Sequence, residues 1–91
     1  MEFNQRLKEV RKEKKISQQK LADIMQTKQQ TVSKWENALL EPNYNDLKKL
    51  CKLFEVSADY LIGLENEFGF KEEFEYTDGI HQIKHKKSGN K

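Results

Sequence analysis

Across its first 64 residues the chain carries one proline, Pro42, and one glycine, Gly63, while hydrophobic residues recur at helical spacing throughout. Helix-breaking residues are the main local obstacle to helix formation, so their scarcity together with a 3.6-residue period points to an all-α domain of short helices. Phe3, Leu7, Val10 and Arg11 share one face of a first helix. Ser17 is a good N-cap for a second, with Leu21, Ile24 and Met25 as its buried stripe. A third lies within "TKQQTVSKWENALLEP", residues 27–42, with Val32 and Trp35 pointing inward. Pro42 stops that run, and Asn43 caps a fourth helix carrying Leu47, Leu50, Cys51 and Phe54. Ser57 caps a fifth with Tyr60, Leu61 and Leu64, and Gly63 is its stop signal.

The chain has 91 residues, 35% of them hydrophobic and 35% charged, which suits one small domain with a compact core. No run approaches the roughly 20 apolar residues needed to span a bilayer, and the N-terminus has no apolar signal region. The single cysteine, Cys51, has no intramolecular partner, so a reducing cytoplasm is the expected location. Its place one turn from Leu47 and Phe54 makes it a small core residue. His81 and His85 have helical spacing but sit in a segment that reads as strand, without a carboxylate or thiol cluster. No metal, cofactor or catalytic set is therefore expected.

Charge is uneven along the chain. Met1 to Leu64 has 12 Lys/Arg against 9 Asp/Glu, Glu65 to Asp78 has one lysine against six acids, and Gly79 to Lys91 has four lysines and no acid. The first segment's excess is mild for a nucleic-acid binder, so affinity would come from placed residues more than from bulk charge.

With Val32 set inward at zero on a 100° wheel, Trp35 falls about 60° to one side and Glu36 about 40° to the other. Gln30, Lys34 and Asn37 point directly away from the core, with Ser33 on their flank and Gln29 near the N-terminal tip. This outer face has no carboxylate. Glutamine and asparagine pair with adenine edges and lysine with guanine, so the face has the chemistry of base readout. Glu36 flanks the core and needs a cation, Arg11 lies on the apolar face of the first helix and needs an anion, and the simplest solution is that they pair.

"RLKEVRKEKKISQQKLADI", "TVSKWEN" and "VSADYLIGL" together resemble the phage repressor and Cro-type helix-turn-helix proteins, also called the XRE family, over about residues 3–64. The resemblance implies a mainly α, five-helix, lambda-repressor-like domain spanning residues 1–64. Helices two and three would form the helix-turn-helix, with the segment 28–38 as recognition helix in the major groove. It implies base contacts from Lys28, Gln29, Gln30, Ser33 and Lys34, phosphate contacts from Gln18 and Asn37, and a structural ion pair between Arg11 and Glu36. It also implies a cytoplasmic repressor that binds a palindromic operator in double-stranded DNA as a homodimer. An antitoxin or other protein-interaction module, holding a second protein, is the alternative within the same fold.

The chain departs from the family in three places. Glycines are frequent after the first helix, in the tight turn and after "WEN", where this chain has Lys15, Gln26 and Ala38. A non-glycine residue in a left-handed conformation costs about 1 kcal/mol, so either the cost is absorbed or the turns differ. The usual cap of the recognition helix falls at Lys28, which has no acceptor, whereas Thr27 has one, and the helix could start a residue early. The loop after "WEN" is commonly basic but here reads "ALLEP", and Leu39 is either added core or a binding patch.

Residues 65–91 lie outside the resemblance. "FKEEFEYTDGIHQIKHK" has Asp-Gly at its centre, which predicts a β-hairpin extension over about residues 70–87 with a type I′ turn and a flexible end. The register places Thr77 opposite Ile80, Tyr76 opposite His81 and Phe74 opposite Ile83. Phe70, Phe74, Tyr76 and Ile83 would then form an apolar face, covered either by a second copy in a dimer or by the chain's own helices.

Overall fold

The computed structural model describes residues 1–66, 68–77 and 80–87, with side chains described for 1–66, 68 and 69. Five helices come first: α1 (Phe3–Glu13), α2 (Gln18–Met25), α3 (Gln29–Glu36), α4 (Tyr44–Phe54) and α5 (Ala58–Leu61). Three start on side-chain caps. Ser17 Oγ accepts from the Lys20 amide at 3.0 Å, Asn43 Oδ1 from the Asp46 amide at 2.8 Å, and Ser57 Oγ from the Tyr60 amide at 3.0 Å. α1 instead satisfies an amide backwards, the Glu2 N–H donating to Gln5 Oε1 at 3.1 Å. α3 alone begins on a residue without an acceptor, Lys28. Thr27 does not take the cap, so the helix does not start early.

The helix ends explain the absent glycines. Lys15, Gln26 and Ala38 all adopt positive φ, at 58°, 57° and 59°, and Glu55 does the same at 55°. Each is followed by an amide that reaches back five residues: Ile16 to the Arg11 carbonyl, Thr27 to Ala22, Leu39 to Lys34 and Val56 to Cys51. This is the long hydrogen bond of a Schellman closure, which satisfies a carbonyl that the helix end would otherwise leave open. The left-handed turns are therefore kept and their steric cost is absorbed. At the end of α5 the same closure runs from Leu64 to Asp59, at 2.8 Å, and there the left-handed residue is a glycine, Gly63, at φ 91°. Gly63 has a second reason to lack a side chain, since a Cβ there would collide with the Met1 carbonyl oxygen.

The core comprises Leu7 and Val10 of α1, Leu21, Ala22 and Met25 of α2, Val32 and Trp35 of α3, Leu50 and Phe54 of α4, and Leu61 of α5. α2 packs chiefly on α3, and α1 touches both α3 and α5. Several expected core positions are corrected. Ile24 is 44% exposed, and the buried residues of α2 are Leu21, Ala22 and Met25. Leu64 is exposed because α5 ends at Leu61 and the chain has already turned at Gly63. Leu47, Cys51 and Tyr60 are half-buried at the edge of the core. Leu39 is 73% exposed, since α3 stops at Glu36 and Ala38 turns the chain before Leu39 can follow Val32 inward.

Arg6 is an unexpected buried cation, 2% exposed, with its guanidinium carbon 3.9 Å from the centre of the Tyr60 ring. The ring face partly replaces lost hydration, as in other cation–π contacts. Arg6 Nε has no hydrogen-bond partner.

Beyond the helices, the backbones of β1 (Phe70–Thr77) and β2 (Ile80–Lys87) run antiparallel, pairing Thr77 with Ile80, Phe74 with Ile83 and Phe70 with Lys87. The turn expected at Asp78 and Gly79, and the side chains of Phe70, Phe74, Tyr76 and Ile83, lie outside the described residues. Among the described residues, no helix is long and apolar enough to cross a membrane.

Candidate nucleic-acid interface

α2 ends at Met25, Gln26 reverses the chain in a left-handed conformation, and α3 starts at Gln29. This is the turn of a helix-turn-helix. α3 is shorter than the segment 28–38 expected for it: Lys28 is its N-cap, Asn37 its C-cap, and Ala38 lies outside. Val32 and Trp35 anchor the helix, at 0% and 1% exposure. Gln30 and Lys34 consequently project into solvent, Ser33 is half-buried beside them, and Lys28 is exposed ahead of the first turn.

The Arg11–Glu36 pair sets the orientation of this face. Arg11 Nε donates to Glu36 Oε2 at 2.5 Å and Nη2 donates to Oε1 at 3.0 Å, so the contact is bidentate. Arg11 Nη1 donates to the Ile16 carbonyl at 2.8 Å, which fixes the guanidinium against the end of α1. With Arg11 and Glu36 at 8% and 5% exposure, two planar groups in a fixed fork leave little freedom between α1 and α3.

A further link ties the pair to the outer face. Gln18 Nε2 donates to Glu36 Oε1 at 3.1 Å, and Gln29 Nε2 donates to Gln18 Oε1 at 2.7 Å. Both glutamines are half-buried. The sequence reading brings Arg11 to Glu36 but does not find this extension, because nothing in an eleven-residue separation across a turn signals a side-chain contact. Asn37 is also tethered, its Nδ2 donating to Ser33 O at 2.8 Å and to Ser33 Oγ at 3.2 Å. Gln30, Lys34, Lys28 and Asn37 are the exposed members of the set, and of these Asn37 alone is held by a side-chain hydrogen bond to α3.

Among the described residues, no group of three or more histidine, cysteine or acidic side chains is placed to hold a metal. Cys51 is a free thiol, and burial pushes its pKa up, the opposite of what a nucleophile or metal ligand requires.

The short helix, left-handed turn and second helix with an outward polar face define a helix-turn-helix protein. Comparison with known sequences agrees: the helix-turn-helix family model matches residues 7–61, and the chain belongs to that family. It is 33% identical over 89 residues to the HTH-type transcriptional activator BcrR of Enterococcus faecalis, covering 88% of this chain and 44% of that protein. It is 36% identical over 72 residues to the uncharacterized HTH-type transcriptional regulator YqaE of Bacillus subtilis, covering 78% of this chain and 62% of the relative. The chain thus spans about half to two thirds of the length of these relatives. Among solved structures, the P22 c2 repressor in complex with a synthetic operator superimposes with a TM-score of 0.65 at 32% identity, covering 68% of this chain and 94% of that one. The DNA-binding domain of the same repressor in solution gives a TM-score of 0.62 at 33% identity, covering 67% and 80%.

Proposed function

We propose that the chain is a sequence-specific, DNA-binding transcriptional regulator that reads the major groove with α3 and represses by occupying its operator. The observation that carries this reading is the carboxylate-free outer face of α3, held at a fixed angle by the Arg11–Glu36 pair. Likeness to a repressor seen on its operator supports it. In this reading the protein acts by binding and not by catalysis.

Residues 1–64 form the DNA-binding domain and 65–91 an extension. Gln30 and Lys34 read base edges, with Lys28, Gln29 and Ser33 beside them, while Gln18 and Asn37 approach phosphates at the two ends of the motif. One such domain reads one half-site, and two copies spaced by about 34 Å read a palindrome. A β-hairpin over residues 70–87 would make that dimer by packing Phe70, Phe74, Tyr76 and Ile83 against the same residues of a second copy.

Selection of bound sites from random duplex DNA tests the reading. A palindromic consensus is expected, and Lys34→Ala should cost about 1–3 kcal/mol on it while relaxing preference at one base pair. Failure to enrich any sequence, or unchanged preference at every position in Lys34→Ala, would overturn it.

A further inference from the structure

Gln29, Ser33 and Asn37 follow one another at four-residue steps, so they form one row along α3, beside the row of Gln30 and Lys34. The first row is held by side-chain hydrogen bonds, Gln29 to Gln18 and Asn37 to Ser33. Asn37 Nδ2 lies 2.8 Å from the Ser33 carbonyl oxygen and 3.2 Å from Ser33 Oγ. The Asn37 backbone amide donates to the same carbonyl at 3.0 Å. Asn37 is thus clasped to Ser33 by its main chain and its side chain together.

The chemistry of this clasp fixes its polarity. A carbonyl oxygen only accepts, so the side of the Asn37 amide that faces Ser33 has to be its nitrogen. An amide nitrogen only donates, so Ser33 Oγ has to be the acceptor in the second contact. The hydroxyl proton of Ser33 consequently points away from Asn37. Among the described residues, no hydrogen bond has Ser33 Oγ as its donor. A free serine hydroxyl both donates and accepts, and it discriminates poorly between bases. In Ser33 the accepting side is engaged and the proton is available.

We infer that Asn37 is a positioning residue that makes Ser33 a hydrogen-bond donor towards DNA, and that this pair sets which base is accepted opposite Ser33. Guanine N7 and O6 and thymine O4 accept such a donor, whereas cytosine offers only its N4 amino group, itself a donor. Cytosine is therefore excluded there, because two donors would meet and neither would be satisfied. DNA seated on this face displaces water, which strengthens the clasp and raises the penalty for a mismatched edge. The inference rests on the DNA-binding reading given above and gives Asn37 a part in base preference besides its approach to phosphate.

The test selects bound sites from random duplex DNA with the full chain and three variants, each checked for folding by circular dichroism. The wild type should enrich sites with cytosine depleted at one position of each half-site. Ser33→Ala should lower that discrimination by about two- to tenfold, the span of a single hydrogen bond. Asn37→Ala should do the same with Ser33 intact, because the hydroxyl regains the freedom to accept. Asn37→Asp should turn the preference towards cytosine. Its carboxylate only accepts, so the Ser33 hydroxyl donates to it and leaves Oγ as an acceptor facing the base. The added charge lowers affinity for all sequences alike, so base preference is the readout. A wild type that enriches sites but tolerates cytosine at every position overturns the inference. Preference that survives Ser33→Ala, or a loss uniform over sequences, puts the hydroxyl on the helix backbone or a phosphate and overturns it too. So does an Asn37→Ala variant with unchanged preference, or an Asn37→Asp variant that still excludes cytosine. A wild-type chain that enriches no sequence overturns the DNA-binding reading and this inference with it.

Discussion

The side-chain amide of Gln29 donates to the side-chain oxygen of Gln18 at 2.7 Å, joining the first residue of α3 to the first residue of α2. Gln18 in turn donates to Glu36, so a hydrogen-bonded line runs from the buried arginine to the N-terminal tip of α3. Preorganisation of this kind lowers the entropy cost of presenting a side chain to a partner.

The first prediction concerns that line. Gln18→Ala should weaken binding on all sequences, and it should also broaden base preference at the position nearest Gln29, because the latter loses its tether. Gln18→Glu offers Gln29 an acceptor but sets a second carboxylate against Glu36, and it should be worse than alanine. Site selection on each variant reads both effects. A strictly uniform loss in Gln18→Ala would remove the positioning role and leave only the phosphate contact.

Arg11→Ala should destabilise the fold by about 3 kcal/mol, since Glu36 would be left buried opposite a void. The double replacement Arg11→Met with Glu36→Leu should recover much of that loss in denaturant melts, because the desolvation of both charges disappears. The double variant should nevertheless bind DNA less selectively, as Gln18 then loses Glu36 as its acceptor. Equal stability of the wild type and Arg11→Ala would contradict the energetic account of the pair.

Replacing Gln26 or Glu55 by glycine should be neutral or stabilising by up to about 1 kcal/mol, since both are exposed residues held at positive φ. Gly63→Ala should behave in the opposite sense and lower stability by more than 1 kcal/mol, roughly the left-handed cost before its clash with the Met1 backbone is added. Urea midpoints of the three variants compare the two kinds of site directly. A Gly63→Ala variant as stable as the wild type would mean that the N-terminus moves aside freely.

Burial pushes the Cys51 thiol up, so the folded chain holds that proton more tightly than the unfolded chain. The associated stability is present below the unfolded thiol pKa and is lost as the pH rises through it towards the folded value. Alkylation by iodoacetamide at pH 8 should therefore be slower in the folded protein than in urea. Cys51→Ala should flatten that alkaline loss of stability, since no thiol is left to ionise. Equal labelling rates in both states would place Cys51 outside the protected edge of the core.

The helical architecture was readable because its signals are local. Ser17, Asn43 and Ser57 cap the helices expected of them, and the spacing of Leu7, Val10, Leu21, Val32 and Leu61 names most of the core. The Arg11–Glu36 pair was readable for a different reason, since two charges facing a core must resolve each other. What escaped the sequence depends on distances between helices. Ala22 is buried where Ile24 was expected, because the face α2 turns inward is set by its neighbours as well as by its own periodicity. Arg6 finds Tyr60 from more than fifty residues away, and Gln29 finds Gln18 across a turn. The left-handed turns could be located from missing glycines, but that they persist follows from the carbonyl closures at the helix ends, which no residue type signals.

Trp35 is the single tryptophan of the chain, and it is 1% exposed on the same helix that carries Gln30 and Lys34. It is packed in the core on one side and lines a surface depression with Phe3, Leu39 and Leu40 on the other. The molecule therefore contains an intrinsic optical probe that is buried in the core yet carried by the helix with the outward polar face. Emission should lie to the blue in the folded state and shift to the red on unfolding. DNA bound on the outward face of α3 should change the intensity without that shift, so a single fluorophore can separate loss of fold from binding without any added label.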